Sequence, residues 1–240
     1  MSTPPNPRSL TFYAALPPST FLDLSLRSSP AYPALLAELL SDGDSTKTFL
    51  DLGCGLGQEV RQLAADGVSG ERLWATDVNG GLWEAGYELF RDRETLGARF
   101  VEADVFDGGS ELVRELEGRV DFVYAGAFFH LFGLGEQERA VRAVVRLLRG
   151  GGGVVVGRQS GGVGGEVGEV EGRAGRSWYR HDLESWRGVW ERVGRETGTE
   201  WRVEGGVEEK EYGLEGVEGV HEGLRKKLEG RGLRYVVTRV

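Results

Sequence analysis

The stretch Thr48-Phe-Leu-Asp-Leu-Gly-Cys-Gly-Leu-Gly-Gln-Glu59 decides how the rest of the chain is read. Thr48 to Leu52 has the make-up of a buried strand. It runs straight into a glycine turn and then into a helix opened by Gly57. Gly53 and Gly55 let the backbone turn sharply and leave no Cβ between it and a ligand. In the dinucleotide fingerprint the spacing is G-x-G-x-x-G, which lets backbone amides and a helix N-terminus receive a pyrophosphate. Here the third glycine, Gly57, comes one residue early, and Gln58 stands where that pattern needs glycine. Hydride chemistry on a dinucleotide is therefore disfavoured.

A chain of 240 residues suits one α/β domain, or a domain with a small lid. Its net charge of -9 argues against holding a polyphosphate backbone, which needs clustered Lys and Arg, so a small-molecule substrate and no nucleic acid are expected. The single cysteine, Cys54, excludes an internal disulfide. No basic segment followed by an apolar run opens the chain, and no apolar run of about 18 residues occurs, so a cytoplasmic protein without a membrane span is expected. Glycine is abundant at 39 residues, and Gly161 to Gly172 shows neither helical nor strand period, reading first as a solvated surface loop and second as a gating lid.

Residues 1–9, with three prolines, are expected to be disordered. Phe12 and Tyr13 read first as core packing and second as a roof over a ligand. A helix is expected from Pro33 to Leu40. After the glycine turn, Gln58 to Ala65 forms the first crossover helix and Arg72 to Val78 a second strand. Asp77 closes that strand about twenty residues beyond the glycines, where a carboxylate accepts two hydrogen bonds from a ribose diol. A helix over Gly80–Arg91 follows, capped by Asn79. A third strand, Ala98 to Asp104, again finishes in an acid, suited to an adenine amino group with Val105 and Phe106 against the ring. Asp51, Asp77 and Asp104 would then gather at the carboxyl ends of three neighbouring parallel strands, where a cationic ligand is favoured.

Beyond these come a short helix over Ser110–Leu116, strand four at Arg119–Ala127, a helix over Gln137–Leu148 and strand five at Val154–Arg158. An amphipathic helix over Leu183–Arg195 and strand six at Thr199–Val203 follow, with a weak helix over Val217–Leu228 and a last strand at Leu233–Val240. Strands alternating with helices make a doubly wound α/β sheet.

Asp51 and the compressed D-x-G-x-G-x-G resemble motif I of the class I S-adenosylmethionine-dependent methyltransferases. The pieces Leu89 to Leu96, Ala103 to Asp107, Phe128 to Phe132, Gly157 to Gly161, Trp178 to His181 and Gly194 to Trp201 resemble small fungal secondary-metabolite methyltransferases. Some of these esterify a carboxyl group in meroterpenoid biosynthesis. The resemblance implies a Rossmann-like, seven-stranded, mostly parallel sheet, with an antiparallel seventh strand inserted between five and six. It implies an N-terminal extension and cap helix over residues 1–45 and a methyltransferase domain over 46–240, as a monomer or homodimer. S-adenosyl-L-methionine would be the cofactor and S-adenosyl-L-homocysteine its product. The cofactor residues are then Asp51, Gly53, Gly55, Gly57, Asp77, Val78, Asp104, Val105 and Ala125.

The acceptor is narrowed mainly by absences. Ala125-Gly-Ala-Phe128 is not the Asn/Asp-Pro-Pro-Tyr/Phe turn of enzymes that methylate adenine or glutamine nitrogen. The same positions offer no carboxylates to a hard cation, so no metal is expected. A carboxyl acceptor is already ionised and needs only a cation to orient it, for which Arg158 and Arg180 are candidates. A hydroxyl acceptor needs a base within about 3 Å, and His130 and His181 are candidates. His221 lies apart, in the weak C-terminal helix. Phe128, Phe129, Phe132, Trp178 and Tyr179, with Tyr13, are candidate walls of an apolar pocket, although such side chains also serve as core. The expected activity is methyl transfer to a largely apolar natural product at a carboxylate or hydroxyl oxygen. The alternatives are a pericyclase, isomerase or other non-methylating protein on the same fold, and a protein or RNA methyltransferase, with the acidic balance speaking against RNA.

Overall fold

A computed structural model describes residues 24–41, 47–171, 177–210 and 230–240. The expectations for residues 1–9, for Phe12 and Tyr13, for a helix over Val217–Leu228 and for His221 lie outside the described residues. The helices are α1 (Tyr32–Leu40), α2 (Gln58–Ala65), α3 (Gly80–Phe90), α4 (Glu111–Leu116), α5 (Leu134–Leu147) and α6 (Leu183–Thr197). The strands are β1 (Phe49–Leu52), β2 (Leu73–Asp77), β3 (Arg99–Glu102), β4 (Phe122–Gly126), β5 (Val154–Gly161), β6 (Gly168–Glu171), β7 (Ser177–Arg180), β8 (Trp201–Lys210) and β9 (Gly230–Arg239).

Seven strands form one sheet in the order β3-β2-β1-β4-β5-β9-β8. β1 pairs in parallel with β2 and β4, and β2 with β3. Every residue of β1 and β2 is buried, as expected for parallel strands covered on both faces. β8 and β9 pair antiparallel from Trp201↔Arg239 to Lys210↔Gly230, and the last strand lies between β5 and β8 as the resemblance implied.

The chain divides into two compact units. The first runs to Gly126 and takes in Ala143–Val156, and the second is made of Ala127–Arg142 with the chain from Gly157 onward. The first unit buries Leu50, Leu52, Val60, Leu63, Leu73 and Val123, together with Val144, Val145 and Leu147 from the apolar stripe of α5. α1 begins with proline in its first turn, where no amide is missed, and buries Leu35 and Leu39.

The second unit is organised around α6. Asp182 accepts from the Ser185 amide at 2.8 Å while Ser185 Oγ accepts from the Asp182 amide at 3.1 Å, a reciprocal cap on the first turn. Gly198, with φ of 67°, ends the helix in the left-handed conformation. The inner face of α6, Trp186, Val189, Trp190 and Val193, is fully buried. Trp186 packs on Phe129 and on Tyr235, both at 5.1 Å, and Trp190 on Trp201 at 5.0 Å. Truncating either tryptophan to alanine would cost about 3–5 kcal/mol.

The glycine-rich segment corrects the sequence reading. Gly168–Glu171 is a strand, paired antiparallel with Ser177–Arg180, with Glu169 and Glu171 exposed and Gly168 and Val170 half-buried. A period of two is present, but with Gly168 and Val170 as its only inward residues it is too short to stand out in the sequence. No helix among the described residues is long and apolar enough to cross a membrane.

Two glycines on α6 predict opposite signs for the same substitution. A Cβ at Gly194 would stand 2.5 Å from the Thr199 carbonyl oxygen, whereas nothing lies within 4 Å of one at Gly188. Gly194→Ala should lose about 1–3 kcal/mol by overpacking. Gly188→Ala should gain up to about 1 kcal/mol from helix propensity. Urea unfolding measures both.

Candidate functional site

The glycine turn is built by hydrogen bonds to the neighbouring strand. The amides of Gly53 and Cys54 both donate to the Thr76 carbonyl, at 2.9 and 3.0 Å, and the Gly57 amide donates to the Cys54 carbonyl at 2.8 Å. Gly53, Gly55 and Gly57 have φ of 74°, 54° and 71°, values that side-chain-bearing residues rarely adopt. At Gly57 a Cβ would also run into the Trp83 ring at 2.3 Å. Cys54 is buried and its thiol is pushed up by that burial, which leaves it inert as a nucleophile.

Asp77 joins this turn directly. Its Oδ2 accepts from the Gly55 amide at 3.0 Å and its Oδ1 from the Asn79 amide at 3.0 Å. Asp51 is 3 % exposed, and its Oδ2 has no hydrogen-bond partner among the described residues. Burial first, then the Glu59 and Asp77 carboxylates, push its pKa well above the usual carboxylate range. Asp104 follows β3. Its Oδ1 accepts from the Phe106 amide at 2.9 Å, and the adjoining Ala103 amide donates to the Asp77 carbonyl at 3.0 Å. Val105 and Ala125 are buried, and Val78 is half-buried. The structure thus brings Asp51, Gly53, Gly55, Gly57 and Asp77 together, with Asp104 in the turn after the neighbouring β3.

Glu59 belongs to this cluster and the sequence did not reveal it. An acid in the first turn of a helix reads as a surface residue favoured by the helix dipole. Here it is 3 % exposed, and its Oε1 accepts from Ser25 Oγ and from the Leu26 amide, both at 3.1 Å. Ser25 Oγ also lies 2.5 Å from the Tyr124 hydroxyl. Serine has one proton, which goes to the carboxylate, so Tyr124 donates to Ser25. Asp51, Glu59 and Asp77 thus form a buried acidic group at the start of α2.

The acceptor-side candidates fall in the second unit. His181 is 1 % exposed, with Nε2 3.1 Å from Gln137 Oε1 and Nδ1 3.0 Å from Ser185 Oγ. Gln137 spends its amide hydrogens on the Phe132 and Tyr179 carbonyls, each at 2.9 Å, so the imidazole donates from Nε2. Burial pulls its pKa down to about 4, against the opposing Asp182 carboxylate. Neutral, enclosed and bonded at both nitrogens, His181 is a packing node and not the candidate base that the sequence suggested.

Phe129 is likewise a core residue, fully buried against Trp186, and not a pocket wall. Phe128 lies edge-on to both Phe129 and Phe132 and is 9 % exposed, while Trp178 and Tyr179 are half-buried on β7. His130 is half-buried in a short turn of 3₁₀ helix. Arg158 is half-buried on β5, and its carbonyl accepts from the Ala127 amide at 2.8 Å. Arg180 is half-buried on β7, its positive charge helping to hold Glu166 below the usual range after the larger effects of Arg231 and the Val163 amide. Ala127 has φ of 54°, an uncommon backbone for a non-glycine residue that composition gave no sign of.

Residues 49–152 match the family described as a methyltransferase domain. The O-methyltransferase phiE of Fungal sp. (strain ATCC 74256) is 48% identical over 202 residues, covering 83% of this chain and 66% of phiE. The chain therefore spans just under two thirds of that relative. The methyltransferase adrK of Penicillium rubens is 36% identical over 220 residues, covering 90% of this chain and 78% of adrK. Among solved structures, the 1,6-didemethyltoxoflavin-N1-methyltransferase of Burkholderia thailandensis, solved with S-adenosylhomocysteine, aligns at a TM-score of 0.56 and 16% identity. That alignment covers 90% of this chain and 81% of the other. With the sheet order, the glycine turn and these relatives on the page, the chain belongs to the class I S-adenosylmethionine-dependent methyltransferase family.

Proposed function

We propose that the protein transfers a methyl group from S-adenosylmethionine to an oxygen, carboxylate or hydroxyl, of a small and largely apolar natural product. The observation that carries the reading is the buried acidic group beside the glycine turn. A neutral or anionic ligand would leave Asp51 with an uncompensated desolvation cost, whereas a ligand with a sulfonium and an ammonium supplies the missing charge. Asp77 fits the ribose, because its two carboxylate oxygens are held by backbone amides at the end of β2, beside the glycine turn. Gly53, Gly55 and Gly57 leave the backbone bare, and Asp104 with Val105 suits the adenine. Val78 and Ala125 complete the set. Bound there, the cofactor supplies the sulfonium methyl as the electrophile.

Alignment and exclusion of water account for most of the acceleration of such a displacement. An acceptor carboxylate needs orientation alone, and Arg158 and Arg180 are the cations we assign to it. For a hydroxyl acceptor, His130 is the remaining imidazole among the described residues, since His181 is enclosed. Phe128, Trp178 and Tyr179 are the apolar side chains we assign to the acceptor. The relative named as an O-methyltransferase supports oxygen over nitrogen. The acidic charge supports a small molecule over nucleic acid, and a cytoplasmic place is consistent with the single buried cysteine.

Incubation with S-adenosylmethionine and a panel of carboxylic and phenolic acceptors should give one S-adenosylhomocysteine per methyl ester or ether formed. Conversion of an acceptor without S-adenosylhomocysteine would point to a non-methylating member of the fold. In calorimetry Asp77→Ala should weaken S-adenosylmethionine by about 1–3 kcal/mol through loss of charge-assisted bonds, and Gly55→Val should abolish binding. Unchanged affinity in both contradicts the assignment.

Asp51→Asn should separate stability from binding. The folded pKa of Asp51 lies above its unfolded value, so stability falls as pH rises through the folded pKa. The amide has no such loss. The variant should melt higher than the parent at pH 8, with no gain near pH 4, and bind S-adenosylmethionine at least about tenfold more weakly. A lower melting temperature at pH 8 would show that Asp51 is satisfied as a charge within the protein.

A further inference from the structure

Arg61 is 8 % exposed, an unusual place for a guanidinium. Its Nε and Nη2 donate to the two carboxylate oxygens of Asp92, at 2.6 and 3.0 Å. Its Nη1 donates to the carbonyls of Leu56 and Gly57, the latter at 3.3 Å. The rings of Trp83, Tyr87 and Phe90 lie 5.1, 5.4 and 4.7 Å from its Cζ. The carbonyls it holds belong to the last step of the glycine turn. The same step is held close to α3 by Gly86, where a Cβ would meet the Leu56 carbonyl oxygen at 2.3 Å.

The segment Leu89-Phe-Arg-Asp-Arg-Glu-Thr-Leu96, to which no role has yet been given, supplies the other half of this arrangement. Phe90 provides one ring. Arg91, with φ of 55° and its amide on the Tyr87 carbonyl, ends α3 in the left-handed conformation. Asp92 then turns the chain, its carbonyl accepting from the amides of Thr95 and Leu96 at 3.0 and 2.9 Å. Its carboxylate makes a two-pronged pair with Arg61, a geometry that lysine cannot reproduce.

We propose that Arg61 and Asp92 are positioning residues for the cofactor. The pair grips the Leu56 and Gly57 carbonyls from the side of α3, so the opposite, bare side of the turn keeps the shape that the ligand meets. Neither residue need touch the ligand. This rests on the glycine turn being the S-adenosylmethionine site. Unlike a general contribution to stability, it ties affinity to the two carbonyl anchors themselves.

Calorimetry with S-adenosylhomocysteine, on variants shown to be folded by circular dichroism, tests it. Asp92→Asn and Arg61→Lys should each raise Kd at least about tenfold, because the fork is lost in both. The double variant Arg61→Met/Asp92→Leu removes both charges together, so it should recover much of the melting temperature while Kd stays raised. Val189→Ala, a cavity in the second unit, should lower the melting temperature with Kd unchanged. A double variant that regained affinity along with stability would overturn the proposal. So would a folded single variant that bound like the parent, or a Val189→Ala Kd that followed its melting temperature. If Asp92→Asn fails to fold, the double variant decides. A parent chain that failed to bind S-adenosylhomocysteine would instead sink the reading of the site.

Discussion

The bond from the Gly55 amide to the Asp77 carboxylate is the constraint on which the site depends. It ties the glycine turn after β1 to the end of β2, and the two amides on the Thr76 carbonyl complete the tie. A carboxylate bonded to backbone amides is held in one orientation without a flexible partner. The three left-handed glycines are the conformational condition for this arrangement, because side chains there would oppose the backbone, and at Gly57 a side chain would also collide with Trp83.

Around this bond the chain gathers negative charge where water is excluded. Asp51 and Glu59 are as deeply buried as core leucines, and the structure offers Glu59 the Ser25 hydroxyl and the Leu26 amide. Buried carboxylates side by side oppose each other's ionisation, which destabilises the ligand-free protein and rewards a cationic ligand. Binding strength would therefore be stored partly as strain in the empty state. Arg61 is the counterpart beneath the turn. Its charge is matched by Asp92 and its remaining donors hold backbone, so it adds rigidity without neutralising the acids on the ligand side.

Most of the fold and part of the site were legible in the residues. The β1 turn, the helix opened by Gly57, the acids closing β2 and following β3, and the apolar face of α6 follow from local pattern, because glycine spacing and hydrophobic period are local quantities. What sequence could not supply were long-range partnerships. Glu59 reads as a surface acid until Ser25 covers it, Arg61 as a surface base until Asp92 and three rings close on it. His181 reads as a base until Gln137 and Ser185 take both nitrogens. The β6–β7 pair was missed because each strand is four residues long and β6 has a single apolar side chain, Val170, too little contrast to mark a strand.

The central claim, that Asp77 and the glycine turn hold an adenosine-bearing sulfonium, is tested most directly by a crystal structure of this chain grown with S-adenosylhomocysteine. The account predicts the ribose hydroxyls on the Asp77 carboxylate, with the Gly55 amide bond kept, and the ammonium on the Asp51 side of the turn. Density for the ligand elsewhere, or a ribose held by residues other than Asp77, would contradict it.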